Sequence, residues 1–225
     1  PGLHHNSWHT AHMSLPVRSV ATRVLIQLHR WVGIIVGLVA VVWFASGITM
    51  IYVGGMPRLT PQARLDHLAV LDVSRVRLTP AQAASRLEGG DAGPPAGVPQ
   101  LSMLQGRPAY RFPGDRAVFA DDGALVMPLD EAAAAEVARQ FLRAEAPALR
   151  LAGRLAAADQ WTLSVRRGPL LQFDAGDDAG TRIYLSQRAS EVVLATTRAE
   201  RMQAWIATIP HWLYFIELRR DTPLW

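Results

Sequence analysis

Residues Trp31–Val53 read WVGIIVGLVAVVWFASGITMIYV, 23 residues without one charged side chain. As a helix rising ~1.5 Å per residue, the run is about 34 Å long, enough to cross a ~30 Å hydrocarbon layer with some tilt. A core helix of a soluble protein this long normally keeps a polar face, and this one has none. A secretory signal has a shorter apolar stretch and a small-residue cleavage site after it; this run fits neither. Trp31 and Tyr52 stand near the two ends, where amphipathic aromatics favour the membrane–water interface. Gly33 and Gly37 form a GxxxG pair, with Gly47 further along, which would let another helix approach closely. Arg18, Arg23 and Arg30 precede the run, and Arg58 and Arg64 follow it. That bias favours the N-terminus inside. The expected layout is a tail over 1–19, a transmembrane helix over 20–54 and an extracytoplasmic domain after it, held at the lipid bilayer of a bacterial cytoplasmic membrane.

The whole chain has 225 residues, enough for one or two small domains with real cores. It contains no cysteine, which excludes disulfides, thiolate metal sites and cysteine nucleophiles. Every basic residue is arginine, and the net charge is +4. The arginines are scattered, with no interleaved aromatics, so no nucleic acid is expected as a partner.

Two stretches beyond the membrane run read alike. Leu78-Thr79-Pro80-Ala81-Gln82-Ala83-Ala84 offers a Thr N-cap and Pro at the first helical position. Asp130 caps a second expected helix running to about Glu145, with Val137, Phe141 and Leu142 on one face. Four strand-like segments follow each helix. In the first unit they are 101–104, 109–112, 117–119 and 124–127, with a turn at Asp121-Asp122-Gly123. In the second they are 161–165, 170–173, 181–185 and 191–195, with a turn at Gln187-Arg188-Ala189-Ser190. A repeated order of helix and short strands predicts a duplicated α+β unit, 55–128 and 129–200. Residues 89–97, rich in Gly and Pro, predict a loop, and the aromatic stretch 201–225 predicts an interfacial helix.

This pattern resembles the PepSY domain, and the chain as a whole resembles the PepSY-associated transmembrane family. The likeness rests on Leu28-His29-Arg30-Trp31-Val32-Gly33, on Ser46-Gly47, and on 110–126 (YRFPGDRAVFADDGALV). It continues in 183–193 (IYLSQRASEVV), where Ser186 and Ser190 replace the usual Asp and Gly, and in Ile209-Pro210-His211-Trp212-Leu213-Tyr214-Phe215 with Leu218-Arg219 and Pro223-Leu224-Trp225. The resemblance implies a tandem PepSY-like outer domain and further transmembrane helices beyond residue 225. Relatives that reduce ferric siderophores bind haem between membrane helices, with histidine as the natural axial ligand. His29 and His211 are the candidate haem ligands on that ground. With ~34 Å of helix between the two membrane faces, each would serve a separate haem. Opposing ligands would come from the later helices. Both histidines equally suit an interfacial role, with the ring's polar edge at the headgroups.

His5, His9 and His12, with His4, have a spacing that would align them on a helix to bind a divalent metal, yet nothing predicts a helix there and no metal site is assigned. Asp174, Asp177 and Asp178 lie in a glycine-rich loop without the alternation of a calcium loop. His67 stands alone in a polar linker. GxSxG, HExxH, CxxC and a phosphate-binding Gly-rich loop are all absent. No catalytic residue is therefore assigned. The resemblance implies the N-terminal part of a membrane reductase passing electrons to a ferric chelate, inactive without its later helices. A non-enzymatic envelope module, docking a peptidase or acting as a sensor, is the alternative, and a plain structural cap is the third.

Overall fold

The computed structural model describes residues 20–87, 97–143, 148–165 and 168–220. The tail histidines (His4, His5, His9, His12), most of the 89–97 loop, Glu145 and Pro223-Leu224-Trp225 lie outside them. The chain falls into two units, Pro1–Phe44 and Ala45–Trp225.

Helix α1 (Val20–Val53) is the one described helix long and apolar enough to cross a membrane. It begins before the apolar run and takes in Arg23, His29 and Arg30, because no Gly or Pro interrupts Val20–Arg30. Large side chains are exposed along its length, among them Leu38 and Val41, and Ser46 is its one buried residue. It ends at Gly54, whose left-handed φ of +83° lets its N–H reach the Met50 carbonyl at 3.0 Å.

A mixed helix and sheet domain follows. Short helix α2 (Pro61–Asp66) is capped by Thr60, and a 3-10 turn covers Val73–Arg75. Helix α3 (Pro80–Ser85) starts at the predicted Thr79, which forms a full capping box with Gln82. Strands β1 (Gln100–Leu104), β2 (Arg107–Phe112) and β3 (Arg116–Phe119) make an antiparallel sheet in the order β1-β2-β3. Helix α4 (Glu131–Leu142) is capped by Asp130 as predicted. It ends at Leu142, where Arg143 turns left-handed with φ of 49°. Strands β4 (Arg150–Leu155), β5 (Leu170–Asp174), β6 (Arg182–Ser186) and β7 (Glu191–Thr196) form a second antiparallel sheet in chain order. Helices α5 (Arg198–Ile206), α6 (Thr208–Trp212) and α7 (Ile216–Arg220) end the described chain, so the aromatic stretch is broken into short helices.

Each half is thus a helix followed by an antiparallel meander, with two departures from the expected strands. Residues 161–165 form a turn. The Asp159 carboxylate accepts from Trp161 N (3.0 Å), Thr162 N (2.9 Å) and Thr162 Oγ1 (2.8 Å), and these local bonds compete successfully with a ladder. The first strand of that half is β4, where Ala152-Gly153, at a register shift against β5, interrupts the alternation of outward arginine and inward leucine. Residues 124–127 make a single bridge, Val118 to Leu125, where a strand was expected.

The core explains the second sheet's long apolar runs. Leu171, Phe173, Ile183, Leu185 and Val192 pack on Ala134 and Ala138 of α4. Leu170, Tyr184, Val193 and Leu194 pack on Ala204 of α5 and Ile209 of α6. A sheet covered on both faces needs no polar alternation. In the first sheet, Tyr110, Phe112 and Val118 cluster with Ala83 of α3. The opposite face carries Leu104, Ala109, Ala117 and Phe119.

Candidate functional site

His29 stands on α1 and is exposed, among exposed Leu25, Leu28 and Val32. His211 belongs to α6, where Thr208 and Ile209 are buried and Ile209 packs against the second sheet. Gln160 pins the chain just beyond α6. Its Nε2 donates to the Tyr214 carbonyl at 2.6 Å, and its Oε1 accepts from Ile216 N at 3.0 Å. So held, the half-buried His211 ring lies on Gly47, near the end of α1. A Cβ on Gly47 would stand 2.7 Å from His211 Cε1 and 3.0 Å from Nδ1, closer than non-bonded atoms sit. Glycine at 47 is what admits the ring. About two helical turns further along, Thr208 Oγ1 donates to the Gly54 carbonyl at 3.3 Å. Beside these contacts, Met202, Trp205, Ile206, Trp212 and Leu213 are exposed.

The acidic loop is occupied with its own backbone. Asp177 accepts from Thr181 N (2.7 Å) and Thr181 Oγ1 (2.6 Å), and those bonds hold its carboxyl below the usual carboxylate range. Asp174 pairs with Arg150 at 3.3 Å and Arg182 at 3.4 Å. Among the described residues, no group of three or more His, Cys, Asp or Glu could hold a metal ion.

A groove of about 880 Å³ lies elsewhere, and no residue of it stood out in the sequence as part of a site. Gln100–Gly106 forms one wall; Val137, Gln140 and Phe141 of α4, with Leu68-Ala69-Val70, bound the rest. Arg64, Arg111, Arg143 and Glu191 line it too. Arg111 Nη1 pairs with Glu191 at 2.6 Å and its Nη2 donates to the Ala189 carbonyl at 3.0 Å, tying the first sheet to the β6–β7 turn. Arg64 meets the same Glu191 at 3.1 Å. His67 is not isolated: its ring stacks on Phe141 with centroids 4.0 Å apart, and Nδ1 lies 2.6 Å from the Ala63 carbonyl. A lone histidine in a linker carries no sequence signal for that.

No family model, no curated protein and no solved structure matches this chain.

Proposed function

We propose that the chain is the N-terminal part of a membrane protein of the PepSY-associated transmembrane type, which carries electrons across a bacterial inner membrane to ferric chelates by way of haem. The observation that carries this reading is the His211 ring seated on Gly47, which puts an imidazole at the end of the one described helix fit to cross a bilayer. Three further features support it. The motifs at 28–33, 110–126 and 209–215 resemble that family. The helix-plus-meander order occurs twice. Exposed Trp205, Trp212, Ile206 and Leu213 lie on the segment that bears His211, as suits a surface resting in headgroups. In this reading the N-terminus is inside, and the domain after Gly54 is periplasmic.

The donor chemistry suits haem: imidazole is its commonest axial ligand, and both histidines sit on helices among apolar side chains. His211 and His29 would each hold one haem, which when bound supplies one-electron exchange. Gly47 keeps the His211 ring in place. Opposing ligands belong to helices outside this chain, so the fragment alone does not transfer electrons.

The test is a reduced-minus-oxidised spectrum of membranes containing the full-length protein. Haem bands are expected, reduced by about half in His211→Ala and again in His29→Ala. Colourless, folded full-length protein would end the reading. Unchanged haem content in His211→Ala would remove that ligand.

A further inference from the structure

Every residue from Gln100 to Gly106 lines the groove. Successive side chains of a strand point to opposite faces, so an unbroken row of lining residues means that the edge of β1 faces the groove. Among the described residues β1 pairs only with β2, and no backbone bond reaches its other edge. A free row of N–H and C=O groups is a template for one more strand. Proteins usually blunt such an edge with a charge, a proline or a bulge. Gln100-Leu101-Ser102-Met103-Leu104 has none of these, and its register with β2 is unbroken.

The facing surface defines the guest. Val137, Phe141 and Val192 offer apolar contact, while Arg64, Arg111 and Arg143 stand against a single acid, Glu191. That acid is already shared by Arg111 and Arg64. A carboxylate is the acceptor a guanidinium binds best.

We propose that this groove binds an extended, acidic segment of a partner protein, added as a fourth strand on the free edge of β1. Its backbone pairs with Gln100–Leu104, its carboxylates face Arg111, Arg64 and Arg143, and its apolar side chains rest on Val137 and Phe141. The inference is independent of whether haem is carried.

The experiment uses the detergent-solubilised chain and a fluorescein-labelled eight-residue peptide alternating Val and Glu, read by fluorescence anisotropy. Two N-methylated versions, each blocking the backbone N–H groups along one peptide edge, keep the charge and composition but remove pairing on that edge. A third probe replaces Glu by Lys. The acidic peptide is expected to bind, with at least a tenfold loss for one N-methylated version and for the Lys peptide, and about a tenfold loss on Arg143→Glu. These controls alter the probe and leave the protein intact, so they decide even where Arg143→Glu misfolds. No binding by the acidic peptide, equal binding of all backbone forms, or equal binding of the Lys form would overturn the proposal. So would a dimer of this chain that Arg143→Glu dissociates and the peptide leaves untouched, since a second copy would then be the occupant.

Discussion

The two turns that close the helix-plus-meander halves solve one problem with different chemistry. After β3, Asp121 and Asp122 are clamped by Arg107, whose Nε donates to Asp121 Oδ2 at 2.9 Å and whose Nη2 meets Asp122 Oδ2 at 2.6 Å. Arg75 adds a longer bond to Asp121 at 3.4 Å, and the Arg107 guanidinium lies 3.9 Å from the centre of the Phe119 ring. After β6, neutral groups do most of the holding, joined by Arg111, which donates to the Ala189 carbonyl at 3.0 Å. Buried Ser186 accepts from Ala189 N at 3.2 Å, buried Ser190 accepts from Gln105 at 3.1 Å, and Gln187 bonds the Leu129 carbonyl at 2.7 Å. The clamped turn leads to a single bridge, the neutral one to the full strand β7. A firm turn therefore does not make a strand. β7 persists because α4 covers one face of it and α5 with α6 the other, whereas Leu125 and Met127 stay exposed and Pro128 follows at once.

The sharpest way to break this contrast is Asp121→Ala. Losing a charge-assisted, two-pronged partner of Arg107 should cost about 2–3 kcal/mol. In hydrogen exchange, amides of 107–124 should speed up while those of 182–196 hold. Equal acceleration in both halves would show that the turns are not independent.

Acid offers a gentler version of the same cut. The hydrogen bonds from Arg107 lower the Asp121 carboxyl from 3.8 to about 2. A depressed carboxyl contributes stability that is fully present above its unfolded value near 3.8, and that contribution is lost as pH falls through about 2. Between about pH 5 and pH 2 the first half should loosen, and Asp121→Ala should flatten that pH dependence.

The smallest effect belongs to Ser190→Gly. Ser190 holds a left-handed φ of 54°, so glycine relieves roughly 1 kcal/mol of backbone strain. It also deletes the bond from Gln105, worth about 1 kcal/mol. The net shift in a urea midpoint should correspond to less than about 1 kcal/mol.

Much of this fold was legible in the sequence, and the reasons are local. Thr79 and Asp130 announce themselves as caps, and β2, β3, β5, β6 and β7 as short apolar runs bounded by turns. β4 was hidden by Ala152-Gly153 in its middle, and 161–165 imitated a strand because the Asp159 bonds that bend it are invisible in a hydrophobicity pattern. Of the candidate site, the two histidines stood out as residues, but the seat on Gly47 did not, since it joins positions far apart in the chain. The groove was illegible for the same reason: its walls come from β1, α4 and the segment after α2, and no motif unites them.

The paired fastenings at Gly47 and Gly54 carry a mechanical meaning. One point of attachment would leave a swivel. Two, about two turns apart and so on the same side of a helix, make a bracket that resists twisting. A rotation of the last turns of α1 would have to break the Thr208 bond or displace the His211 ring.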